Sequence, residues 1–147
     1  MPSIISLIVF ISSLVGLGLG QSAKITLTYP PAPAVVTNLA SPPSTCQVEV
    51  AFFDSNSNLV KSQTVSLVPG QSAQVTLTRS ELGGPPSAIH PLFWAEAGLV
   101  DNCNNSANCD YTLCNIRATG EQADSSNSTN LVMDNLIRFA RLGSAPY

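Results

Sequence analysis

Four cysteines, one histidine and a few carboxylates are the side chains of this 147-residue chain whose chemistry reaches beyond packing. Cys46 stands alone, while Cys103, Cys109 and Cys114 cluster in DNCNNSANCDYTLCN. In a small chain bound for an oxidising compartment, four thiols read as two disulfides, and three pairings are open on paper. The five residues between Cys103 and Cys109 make a loop short enough to close locally, which leaves Cys46 and Cys114 to join two distant strands. A metal centre using His90 as an extra ligand fails on spacing, because neither C-x-x-C nor a paired His motif occurs. No metal and no cofactor are expected.

Hydrolase chemistry would need His90 to act with Glu96 or Asp101 on a nucleophile. The chain carries no G-x-S-x-G elbow, and disulfide pairing consumes its thiols. A His beside Pro91 is expected at the surface or in packing. Asp54-x-Asn56-x-Asn58 copies the first three ligand positions of a calcium loop. Leu59 replaces the required Gly, however, and Val65 the terminal Glu, so a hairpin turn held by Asp and Asn side chains is expected instead. Asp101, Asn104, Asn105 and Asp110 offer oxygens around the small loop without fixed spacing. Phe93 and Trp94 suggest a stacking platform for a sugar. Neighbours on a strand point to opposite faces, so one of them is expected in the core and the other as at most a lone contact. Asn104-Asn105-Ser106 and Asn127-Ser128-Thr129 are glycosylation sequons, relevant in a eukaryotic host.

The elements that would position these residues are short strands. Lys24 to Tyr29 alternates apolar and polar residues, and residues 30 to 44 hold five prolines and read as an extended connection. Cys46 to Phe53 places Cys46, Val48, Val50 and Phe52 on one face. Asp54 to Asn58 turns the chain, and Leu59 to Val68 returns as the second strand of a hairpin. Pro69-Gly70 turns it again, so that Ala73 to Thr78 is expected to complete a three-strand meander over one core. Leu82 to Pro86 is a break. Ile89 to Leu99 and Asp110 to Ala118 follow as strands, with a polar, turn-rich stretch from Gly120 to Asn130. Residues 131 to 142 suit a helix with Asp134 paired to Arg138, or a seventh strand; the hairpin that they would form with the preceding run favours the strand. The expected fold is all-β: an immunoglobulin-like sandwich of about seven strands bridged by Cys46 and Cys114.

Residues 4 to 20 are apolar, and the first charge in the chain is Lys24. Gly18 and Gly20 give the small-x-small pattern of a signal-peptide cleavage site, so a mature chain of 127 residues starting at Gln21 is expected as a single domain. The amino-terminal residues Met1-Pro2-Ser3 lack the usual Lys or Arg. A retained membrane anchor would sit at the short limit of the roughly 20 residues that a bilayer needs.

Six basic and nine acidic residues give a net charge of −3, which leaves no basic face for nucleic acid or anionic lipid. The segment CQVEVAFFDSNSNLVKSQTVSLVPGQSAQVTL, residues 46 to 78, resembles a stretch of small exported bacterial β-sandwich proteins of uncharacterised function. The shared features are a V-x-V-x-F-F-D hairpin and a P-G-Q-S turn, with Ser57 where such sequences favour Gly. The resemblance implies a fold and carries no active site. The function expected is that of a secreted or cell-surface, non-catalytic module with a protein or glycan partner. It would have no contact with nucleic acid, and none with the membrane once the leader is removed; an exported hydrolase is the alternative.

Overall fold

Alternation of apolar and polar residues in runs of seven to nine shapes this chain into strands. The structure is a computed structural model that describes residues 5–18, 20–31, 42–83, 91–104, 106–124 and 128–129. The strands are β1 (Ile5–Ile11), β2 (Val15–Gly16), β3 (Gln21–Thr28), β4 (Cys46–Asp54), β5 (Leu59–Leu67), β6 (Ser72–Thr78), β7 (Leu92–Val100), β8 (Arg117–Asp124) and β9 (Ser128–Thr129). A single helical turn, α1 (Arg79–Leu82), follows β6, and a 3-10 turn over Tyr111–Leu113 precedes β8. One antiparallel sheet runs β1-β7-β4-β5, with β2 also on β7, and the other runs β6-β3-β8-β9. Their inner faces meet in one core: Val48, Val50, Phe52, Phe93, Ala95, Ala97 and Leu99 from the first sheet, and Ala23, Ile25, Leu27, Val75 and Leu77 from the second. This is an all-β sandwich. Its seven longer strands among the described residues are β1 and β3 to β8.

Local chemistry sets the turns. Asp54 Oδ1 accepts from the backbone N–H groups of Asn56 and Asn58, both at 2.9 Å, and Asp54 Oδ2 accepts from Asn58 Nδ2 at 3.3 Å. The side chains that imitate a calcium loop therefore close a β4–β5 hairpin, as the missing Gly and Glu foretell. Ser57 takes φ +63° there, the left-handed conformation for which glycine is the usual residue. Gly70, at φ +93°, serves the β5–β6 turn, and its N–H donates to Tyr29 O at 2.6 Å. Thr78 and Glu81 cap α1 reciprocally: Glu81 N donates to Thr78 Oγ1, and Thr78 N donates to Glu81 Oε1.

Several sequence expectations need correction. Strand β6 does not complete a meander with β4 and β5. It crosses to the other sheet and pairs with β3, so Val75 and Leu77 meet Val50 and Phe52 across the core rather than along one sheet. The strand expected over Asp110 to Ala118 is instead the 3-10 turn followed by a connection. The true strand starts at Arg117 and runs to Asp124, through the residues read as turn. Asp110 drives this: its carboxylate accepts from Thr112 N and Thr112 Oγ1, which caps the turn and ends extended backbone. Residues 5–16, read as part of a leader, lie in this structure as β1 and β2 along β7. His90, Asn105, Asn127 and the run 131–142 lie outside the described residues.

Both expected disulfides are present. Cys46–Cys114 joins β4 of one sheet to the connection leading into β8 of the other, and Cys103–Cys109 closes the polar loop. Cys46 and Cys114 are buried, whereas Cys103 and Cys109 are half-exposed. Asn102 Nδ2 donates to Thr45 O at 2.7 Å, which holds the loop against the residue before Cys46.

Two outcomes follow from this core. Phe52→Ala is expected to cost about 3 to 5 kcal/mol in denaturant unfolding, because Phe52 is fully buried on the inner face of β4. Graded reduction followed by peptide mapping is expected to open Cys103–Cys109 first and Cys46–Cys114 only at reductant levels that loosen the domain. On the chain-entropy model the longer bridge, which closes a span of 68 residues, is worth about 4 kcal/mol.

Candidate binding face

The inner face of the first sheet is core, so its outward residues are the ones available for contact. On β4 the residues out of phase with the core set are Gln47, Glu49, Ala51 and Phe53, and on β7 they are Leu92, Trp94, Glu96, Gly98 and Val100; Glu49, Ala51, Gly98 and Val100 are themselves buried, which leaves Gln47, Phe53, Leu92, Trp94 and Glu96 at least partly exposed. Register brings Phe53 opposite both Trp94 and Leu59. The Phe53 and Trp94 rings stack with centroids 4.3 Å apart and planes at 16°. Leu59, Phe53 and Trp94 thus form an apolar row across three strands, with Leu92 two residues before Trp94 on the same face. Leu59 is 51% exposed and Leu92 42%, while the two rings are half-buried.

Further along the same face, Glu96 lies opposite Ala51 on one side and Ile11 on the other. Burial pushes the Glu96 carboxyl above the usual range, and the neighbouring Glu49 adds to the shift. Glu49 itself is buried. The row therefore runs from an apolar end at the β4–β5 hairpin toward an acidic patch in the middle of the sheet.

Of the residues singled out in the sequence, Phe93 is the core member of its pair and Trp94 the outward one. Trp94 is not a lone contact, since Phe53 covers one of its faces. Phe53 was missed: in FFD the alternation assigns Phe52 to the core and leaves its neighbour without a role. Asp101 lies just past the end of β7, exposed, with its Oδ1 accepting from Cys103 N at 3.1 Å. It lies five positions beyond Glu96 along nearly extended chain, about 16 Å at the rise of a strand. The structure therefore does not gather these two carboxylates into one cleft. Asp110 caps the 3-10 turn, and Asp101 and Asp110 both bond to their own loops rather than converging on a common point. Among the described residues no group of three or more His, Cys, Asp or Glu is arranged to hold a metal ion.

The raised Glu96 carboxyl has a sign. Its folded form keeps a proton that the unfolded chain releases near pH 4.5, so this group's contribution to stability is full below that value. The contribution falls as pH rises from there through the raised folded value. Asp54 and Glu81, held below their usual range chiefly by backbone N–H groups of Asn58 and Thr78, act oppositely and lose their contribution as pH falls. Glu96→Gln is expected to flatten the decline of stability above about pH 4.5 while leaving the acid limb in place, as followed by urea midpoints across pH.

No protein-family model, curated protein or solved structure matches this chain.

Proposed function

We propose that this chain is an exported, non-catalytic β-sandwich module of immunoglobulin-like layout. It binds a protein or glycan partner through the outer face of its first sheet. The observation that carries the reading is the row of Leu59, Phe53, Trp94 and Leu92, an apolar strip that faces outward on three adjacent strands. Stacked aromatics flanked by exposed leucines supply contact area at small cost in side-chain entropy. The two disulfides support work in an oxidising space, secreted or in the cell envelope, with residues 1–20 acting as the leader. Among the described residues no helix is long and apolar enough to cross a membrane. The resemblance of residues 46 to 78 to exported bacterial sandwich proteins points the same way.

The runner-up is a hydrolase built on His90 with Glu96 or Asp101. The separation of the two carboxylates along β7 weighs against a site that uses both. Binding is tested by screening the exported protein against a glycan array and against envelope extracts. Leu59→Ser with Leu92→Ser is expected to weaken any specific contact about tenfold or more while shifting Tm by only a few degrees, since both side chains are already solvated. Ester or peptide hydrolysis abolished by both His90→Ala and Glu96→Gln would establish the enzyme instead.

A further inference from the structure

We propose that Gln21, as the first residue of the exported chain, closes on itself to a pyroglutamyl lactam, and that Gln122 holds its side-chain carbonyl for the reaction. The inference rests on the reading that residues 1–20 are cut away on export, which makes Gln21 the amino terminus. An amino-terminal glutamine carries a nucleophile and an electrophile on one residue, so the two need no encounter in solution. The unprotonated α-nitrogen attacks Cδ of its own side chain, the N–Cδ bond forms, and Nε2 leaves as ammonia with the proton that the attacking nitrogen gives up. The product is a lactam ring that keeps Oε1 as its carbonyl. No oxidant and no co-reactant enter the balance.

Gln21 opens β3 two residues before the fully buried Ala23, on the same face of the strand. Gln122 lies opposite Ala23 on β8, so the two glutamines are diagonal neighbours on adjacent strands. Gln122 is buried, and its Nε2 donates to Gln21 Oε1 at 2.7 Å and to Gly16 O at 2.8 Å. Gln21 Oε1 also accepts from Gly18 N at 2.6 Å, while Gln21 N donates to Gly18 O at 3.1 Å. The side-chain carbonyl and the backbone nitrogen of Gln21 thus reach the same glycine, which folds the amide back toward the amino-terminal side of its own residue. Backbone atoms fix which end of each amide is which: Gly18 N can only donate and so marks Oε1 of Gln21, and Gly16 O can only accept and so marks Nε2 of Gln122.

Cleavage after Gly20 takes Gly16 and Gly18 away and leaves the bond between Gln122 and Gln21, because both residues belong to the β3–β8 ladder that runs from Gln21 opposite Asp124 to Thr28 opposite Arg117. The new α-nitrogen is released from Gly18 O at the same moment. Gln122 Nε2 then stands where negative charge grows on Oε1 as that nitrogen adds to Cδ, at the distance of an oxyanion-hole donor. Among the described residues both side-chain bonds of Gln21 fall on Oε1, which the reaction keeps, rather than on Nε2, which it expels. The lactam therefore retains its bond to Gln122, and it takes the charge of an α-ammonium out of the flank where that amide is buried.

The test uses the protein as its host exports it. Mass spectrometry of the amino-terminal peptide is expected to show a chain that begins at Gln21 and is lighter by one ammonia, refractory to Edman degradation until pyroglutamyl aminopeptidase removes the ring. A free Gln21 amine that persists overturns the lactam and leaves the leader reading standing, whereas a retained Met1 or any other first residue overturns both. Pulse-labelled export then follows how fast the lactam appears. Gln122→Leu is expected to slow it about fivefold or more in the folded protein, the effect of one lost hydrogen bond, and to match the wild-type rate when both chains are unfolded in guanidinium. Leu67→Ala, which loosens the core at β5 on the opposite edge of the first sheet, is expected to keep the wild-type rate. Equal folded-state rates for the wild type and Gln122→Leu, or an equal slowing in Leu67→Ala, would overturn the part assigned to Gln122.

Discussion

The backbone of β7 needs hydrogen-bond partners on both edges, and the rest of the first sheet follows from how it gets them. On one side β4 supplies a full ladder from Gln47 to Asp54, and on the other β1 and β2 supply the remainder around the Ser12 kink. The inward residues of β7 are two alanines between Phe93 and Leu99, so its neighbours must fill the space left above them. Phe52 does so from β4, with its ring 6.1 Å from that of Phe93, and Phe10 does so from β1. An unpaired edge at this position would expose backbone groups and an open core at once, a combination far less tolerable than an ordinary edge strand.

The sandwich is also closed sideways, by one polar side chain at each flank. At the β5–β6 flank Lys61 crosses between sheets, donating to Thr76 O and pairing with Glu81 at 2.9 Å, so the cap of α1 and the seam share one carboxylate. At the β2–β8 flank Gln122 does the same work through its amide. The ion pair lies partly in solvent and adds little energy by itself. Its effect is to fix the separation of two sheets that the Cys46–Cys114 bond already tethers covalently at one end. Apolar burial drives the sheets together, and these three links define how they sit.

The short loop between Cys103 and Cys109 made their bridge legible, and alternation in the sequence made β3 to β7 and the Cys46–Cys114 bridge legible, because a period of two reports which face a residue takes. It does not report which strand lies alongside, and for that reason the sheet of β6 was not readable: Ala73, Val75 and Leu77 would look the same in either layer. Strand β8 was hidden for a different reason. Its inward positions include Gly120 and Gln122 rather than large apolar residues, so its composition imitates a turn, while Thr112, Cys114 and Ile116 just before it imitate a strand. The candidate face was half legible. Trp94 stood out as the chain's one tryptophan, but the partner stacked on it is set by cross-strand register between residues 41 positions apart.

The amino-terminal run shows how one composition satisfies two demands. A leader must be apolar, uncharged and about this long, and a strand closing a core must also be apolar, uncharged and able to extend. Those shared requirements leave the sequence silent about which role residues 5–18 play, and Ser12 is where the strand role goes further. Within an apolar run a serine contributes nothing to a hydrophobic segment, yet on β7 its hydroxyl meets Ala95 N–H at the one point where the ladder breaks. Gln122 makes the same argument from the other sheet. Its buried amide donates to Gly16 O as well as to Gln21 Oε1, so one of its two hydrogen bonds is made to that run.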